Sequence, residues 1–245
     1  MSTPVANLGF LSANSRHGRH YDDFLRLVPE ELALEMIPLG LWQDSLWDLA
    51  GKTDEHIELT TELARNKAWD GIALLGAPMQ VQNPDHIDKL RTQLPIPVTT
   101  ALESGAAAVK AFGASNILLL TPFDDELNTL LKNFLTVAGL NVTFPITNRS
   151  DTSREDVRST EAKSSEDVYR MAKHAFEATR SVEAIYFQGA PLNPLLVLEK
   201  LEADLGVPVI ASNPAMLWHL TSLLGHRFCV EGYGRLLREW PALAP

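Results

Sequence analysis

The sequence predicts an α/β protein of two similar lobes, each built on a parallel sheet, facing one another across a cleft. Three observations predict it. Short apolar runs that end in turn residues alternate with amphipathic stretches along the chain, the pattern of successive βα units. The chain repeats its landmarks in order at a nearly constant offset. Its 245 residues, 45 % hydrophobic and 21 % charged, supply enough apolar side chains for one large core or two modest ones.

Taken in order, the expected strands are Leu8–Ser12, Ala33–Pro38, Gly71–Leu75, Val98–Thr99, Ile117–Thr121, Val142–Ile146, Ala184–Phe187 and Pro208–Ala211. Helical periodicity fills the intervals. Leu127, Leu130, Leu131, Phe134, Leu135 and Ala138 recur every 3.6 residues behind a capping Asp124. Val168, Met171, Ala172, Ala175 and Phe176 do the same behind Ser164-Ser165-Glu166-Asp167. The polar stretch Asn148–Lys163 reads as a surface loop.

The repeat carries the two-lobed reading. Asp70-Gly-Ile-Ala-Leu-Leu-Gly-Ala-Pro-Met79 resembles Glu183-Ala-Ile-Tyr-Phe-Gln-Gly-Ala-Pro-Leu192, with glycines 113 residues apart. Leu94-Pro-Ile-Pro-Val98 resembles Leu205-Gly-Val-Pro-Val209, 111 apart; Gly113 and Gly225 are 112 apart; Leu8–Asn14 and Ile117–Phe123 are 109 apart. Two Rossmann-like (flavodoxin-like) lobes related by a pseudo-two-fold axis account for this, with approximate bounds 1–115, 116–225 and a closing segment 226–245. The helix after the last strand is free to cross back to the first lobe. Ligands of open parallel sheets bind beyond the strands' carboxyl ends. That gathers Ser12–Asn14, Gly76–Met79, Thr99–Glu103, Thr121–Phe123, Gln188–Pro191 and Ala211–Asn213 around one cleft. The plainer alternative is that each Gly-Ala-Pro turn only stops a strand.

Composition excludes some partners. A net charge of −10 and pI near 5.1 argue against a phosphate backbone as ligand, which needs clustered Lys and Arg. No apolar run approaches the ~18 residues of a membrane span. Met1–Leu11 lacks the features of a secretory signal, so a cytoplasmic location is the default expectation. The single cysteine, Cys229, forms no internal disulfide, and no Cys/His spacing suggests a metal site. A homodimer is the common default for such chains.

At these residues the chain resembles the aspartate/glutamate racemase superfamily, in the branch with arylmalonate decarboxylase and maleate isomerase. Leu8-Gly-Phe-Leu, Leu120-Thr-Pro-Phe-Asp-Asp-Glu-Leu-Asn128, Gly206-Val-Pro-Val-Ile-Ala-Ser-Asn-Pro-Ala215 and Gly232-Tyr-Gly-Arg-Leu236 carry the resemblance. It implies cofactor-free proton transfer beside a carboxylate of a small organic acid, by a thiol on each lobe or on one. The sequence departs from that pattern. Gly76 and Gly189 stand where the two lobes' cysteines belong, and Cys229 matches neither. Ala77 and Pro78 replace hydroxyl-bearing residues and Phe123 a tyrosine, which removes three hydroxyl donors.

Other groups must then carry the chemistry. Glu103, just beyond the fourth strand, is the candidate base: a carboxylate in an apolar cleft near Phe123 and Met79 would have a raised pKa. Its plainer role is to cap the following helix or face solvent. The resemblance to the isomerases implies that Asn14 holds a substrate carboxylate; its plainer role is to end the first strand. Gln188 and Gln80 flank the glycine turns, placed to orient a polar substrate by hydrogen bonds or else to be surface or supporting polar residues, and Gly189, Ala190, Gly76, Ala77, Pro78 and Met79 form the turns. Arg16, His17 and the rest of the loop to His20 are placed to cover the cleft or simply to be solvated, and Tyr21 shares that ambiguity. The small residues at 76 and 189 are expected to widen the cleft for a substrate bulkier or more apolar than aspartate.

Two functions fit. One is a cofactor-independent isomerase, lyase or decarboxylase working beside a carboxylate or carbonyl without a thiol. The other is a binding or regulatory protein that kept the fold and lost catalysis.

Overall fold

A computed structural model describes residues 3–14, 16, 18–42, 44–145 and 163–244. The order is β1 (Ala6–Ser12), α1 (Arg19–Leu25), β2 (Leu32–Pro38), a 3-10 turn (Leu46–Leu49), α2 (Thr53–Lys67), β3 (Gly71–Leu75), α3 (Ala77–Gln82), α4 (His86–Arg91), β4 (Val98–Thr100) and α5 (Ala101–Ala111). There follow β5 (Asn116–Leu120), α6 (Asp125–Val137), β6 (Asn141–Thr143), α7 (Ser165–Glu177), β7 (Ala184–Phe187), 3-10 turns at Ala190–Leu192 and Leu195–Val197, α8 (Leu198–Leu205), β8 (Val209–Ala211), α9 (Ser212–Leu223) and α10 (Arg235–Glu239).

The strands form two four-stranded parallel sheets, ordered β2-β1-β3-β4 and β6-β5-β7-β8. The repeat is therefore a repeat of topology. Its finest trace is an acid just before β3 and β7: Asp70 accepts from Asn7 N at 2.8 Å, and Glu183 accepts from Ser115 N and Asn116 N at 2.7 and 2.9 Å. Those donors hold the exposed Glu183 carboxyl down at about 2.

Each sheet reverses strand order beside its first strand, between β1 and β3 and between β5 and β7, the position at which open parallel sheets bind their ligands. Register places Ser12 opposite Leu75, one residue before Gly76, and Leu120 opposite Phe187, just before Gln188. Buried Ile, Leu and Phe at the strand centres form the core, as sheets covered on both faces require. The helix α9 crosses back: Leu220 lies where a Cβ on Gly71 would come within 2.8 Å of it. The strand expected over Val142–Ile146 ends at Thr143; residue 146 and 148–162 of the expected loop lie outside the described residues.

Candidate functional site

Beyond Ser12, the backbone stays tied to the segment after β2: Leu39 N, Trp42 N and Gly40 N donate to Ser12 O, Ala13 O and Asn14 O. This presents Asn14, half-buried, at the lip of the first sheet. Its Nδ2 donates to Tyr21 Oη at 3.1 Å, and Tyr21 Oη meets Ser12 Oγ at 2.9 Å. Tyr21 is thus buried and tied to the carboxyl end of β1. Arg16 is exposed, and His17 lies outside the described residues.

Both glycine turns have positive φ, +101° at Gly76 and +118° at Gly189, which favours glycine at each. Their surroundings differ. A Cβ at Gly76 meets nothing within 4 Å, whereas one at Gly189 falls 2.5 Å from Pro122 Cδ and 3.4 Å from Phe123 Cζ. The expected widening is therefore one-sided: at Gly189 the vacated space is taken by Pro122 and Phe123. Ala77, Pro78 and Met79 are buried in the first turn of α3, and Met79 is held by Asn83, whose Nδ2 donates to Met79 O at 2.8 Å. Gln80 is buried alongside them, with Oε1 unpaired among the described residues. Ala190, half-buried, opens the second turn.

The Thr-Pro-Phe-Asp stretch is a built turn. Thr121 Oγ1 donates to Asn128 Oδ1 at 2.5 Å, Asn128 Nδ2 donates to Phe123 O, and Asp124 Oδ1 caps α6 through Leu127 N. Asp124 Oδ2 also receives Trp47 Nε1 from the first lobe at 3.2 Å. Across the crevice, Tyr186 on β7 reaches Ala101 O at 2.7 Å and contacts Gln188 Oε1. One hydroxyl proton serves one acceptor, so both contacts are satisfied when the Gln188 amide turns its NH2 edge to the phenol. Gly105 makes room for Tyr186: a Cβ there would lie 2.1 Å from the ring.

Glu103 lies just beyond β4, as expected, but outside an apolar cleft. It lies in the first turn of α5, its carboxylate 2.7 Å from Arg91 and its backbone N bonded to Thr100 Oγ1. A quarter of the side chain is exposed, and Arg91 also donates to Val98 O. A paired, solvated carboxylate is the opposite of the desolvated base expected near Phe123 and Met79.

His20 was legible only as part of a loop. It lies in the first turn of α1, is buried at 3 % exposure, and lies against Tyr21 with ring centroids 4.2 Å apart. It lines a cavity of about 10 Å³ with Phe187, Gly189, Ala190, Asn193 and Ser212, room for about one water. The same helix docks on the second lobe through Asp23, which accepts from Asn193 Nδ2 at 2.8 Å. Sequence reasoning missed this contact, because the two residues are 170 positions apart. Cys229 is exposed beside Pro29–Glu31, which lead into the amino end of β2, whereas the glycine turns lie at carboxyl ends.

A model of the arylmalonate decarboxylase family matches residues 38–237. The arylmalonate decarboxylase of Bordetella bronchiseptica is 28 % identical over 155 residues, 61 % of this chain and 61 % of that protein's length. Among solved structures, a liganded double mutant of arylmalonate decarboxylase superposes with a TM-score of 0.79 at 24 % identity, covering 97 % of this chain and 100 % of that one. Unliganded arylmalonate decarboxylase gives 0.77 at 25 %, over 96 % and 99 %. The maleate isomerase Iso of Pseudomonas putida S16 gives 0.80 at 17 %, again over 96 % and 99 %. With two sheets of one topology, paired glycine turns and a family match spanning both lobes, this chain belongs to the arylmalonate decarboxylase family.

Proposed function

We propose that this protein is an enzyme that acts beside a carboxylate of a small organic acid, as a decarboxylase or isomerase, by acid–base chemistry without a cofactor or a thiol. The observation that carries this reading is the convergence of polar groups on both glycine turns. Ser12, Asn14 and Tyr21 stand at one end, and Gln188, Ser212 and Asn213 at the other. A cleft that had lost its reaction would have no need to keep that many buried polar side chains, each of which must be hydrogen-bonded to be tolerated. The sole thiol sits by the amino ends of the strands, which supports a reaction without it.

The backbone N–H groups and hydroxyls about the turns suit a carboxylate and the enediolate that forms when its neighbouring carbon loses a substituent. The open space at Gly76, against the filled space at Gly189, supports a substrate whose bulky group sits over the first turn. A single aryl or branched substituent fits that asymmetry better than aspartate does.

The test follows phenylmalonate, maleate and 2-phenylpropionate by proton NMR in D2O, with the Cys229→Ser variant beside the wild type. Conversion or α-hydrogen exchange in both proteins supports the reading. Loss of activity in Cys229→Ser restores a thiol mechanism. Silence on every compound, with one of them still bound by calorimetry, favours the binding protein.

A further inference from the structure

We infer that the second lobe carries a separate binding site for a straight-chain carboxylate, in a groove between α6 and α7. An inequality between the two sheets makes the groove. In the first lobe β2 runs beside β1 for seven residues, from Ala6 opposite Leu32 to Ser12 opposite Pro38. In the second lobe β6 runs beside β5 for three, and their pairing ends where Leu118 faces Thr143. Leu119 and Leu120 therefore have no strand on that edge among the described residues. A groove of about 840 Å³ lies there, within the range of small-molecule sites. It is on the β6 side of β5, whereas Gly189 follows β7 on the other side.

The lining divides into an apolar floor and a charged rim. Leu119, Leu120 and Ala175 are buried in the floor, and Met171, Phe144 and Pro145 are half-buried in the walls. Thr121 and Asn128 are also in the floor, but their polar atoms are spent on one another and on Phe123 O. At the rim stand the exposed Lys132, on α6, and Arg180, just past α7, with His174 between them in sequence. Asp125 is the one acid among the described residues of the lining. Lys132 and Arg180 have no ion pair or side-chain hydrogen bond among the described residues. On a chain of net charge −10, two such cations beside an apolar floor reverse the general character of the surface.

That division defines the ligand. An inorganic anion would leave the floor uncovered, and a neutral hydrocarbon would leave the cations unused. A carboxylate on an unbranched chain uses both. Its head meets Lys132 and Arg180 at the solvent edge, and its methylene groups cover Leu119, Leu120 and Met171.

The experiment titrates the protein, labelled with ¹³C at its methionine methyls, with octanoate, butanoate and 1-octanol. Met171 reports on the groove and Met79 on the first glycine turn; Met171→Leu and Met79→Leu assign the two signals. Octanoate should shift the Met171 methyl and bind at least about tenfold more tightly than butanoate, since each buried CH2 adds up to about fourfold. The Lys132→Glu/Arg180→Glu variant, changed only at exposed positions, should bind octanoate at least about fivefold more weakly. Added salt should weaken binding to the wild type as well. A shift at Met79 without one at Met171 puts the ligand in the cleft and overturns the site. Where both methyls move, an unchanged Met171 titration in the charge-reversed variant overturns it. Equal affinity for 1-octanol overturns recognition of the anion, and no shift with millimolar octanoate overturns the whole inference.

Discussion

His56 and His86 show how a titratable residue can serve folding alone. They are buried between α2 and α4, with His86 Nε2 2.9 Å from His56 Nδ1 and Thr60 Oγ1 3.3 Å from the same atom. Burial pushes both imidazoles well below their ordinary value, and at His56 the neighbouring ring adds to it. The native pair is therefore neutral, whereas the unfolded chain takes up two protons below about pH 6.5. Stability is fully present above that value and is lost as pH falls, by about 2 kcal/mol per histidine between pH 7 and 5. Urea midpoints across this range test it; equal midpoints in wild type and a His56→Leu/His86→Leu variant would show that the pair does not set the slope. Little of this was legible, because the two rings are 30 residues apart and meet only when two helices pack. Glu103 failed for the same reason: its partner Arg91 arrives from another helix.

Secondary structure was the most readable level. Parallel strands covered on both faces show as short apolar runs, and the caps of α6 and α7 have the side chains their N-termini require. Turns are where the readings diverged, since a turn's sequence gives its conformation but not what lies against it. Gly-Ala-Pro occurs twice with positive φ, yet only the second turn is packed against Pro122. Alanine at each turn separates the two effects. Gly76→Ala should be destabilised by about 1–2 kcal/mol for the strained φ alone. Gly189→Ala adds overpacking against the proline ring, about 1–3 kcal/mol more. Denaturant midpoints should place Gly189→Ala clearly lower; equal losses would mean that Pro122 yields freely.

The lobes are held together by contacts that no single lobe contains. Trp47 donates to Asp124, Tyr186 reaches Ala101, Asn193 donates to Asp23, and α9 leaves the second sheet to lie on α5, β3 and β4. Pseudo-symmetry made the existence of two lobes legible, but symmetry says nothing about these links, which join unlike parts. Tyr186 is the most telling: it is fully buried, it fills the space that Gly105 leaves, and its hydroxyl ties the start of α5 to β7. With one continuous apolar cluster running through both sheets, neither lobe can open without exposing part of the other. Unfolding should then be a single cooperative transition, with tryptophan fluorescence and far-ultraviolet dichroism tracing coincident urea curves. Tyr186→Phe tests the link itself. It leaves the ring in place, removes the bond to Ala101 O and leaves the buried Gln188 amide without its partner, which should lower stability by about 1–3 kcal/mol while the two curves stay superimposed. Curves that separate already in the wild type would mean that the lobes fold independently and that the cleft between them is a hinge.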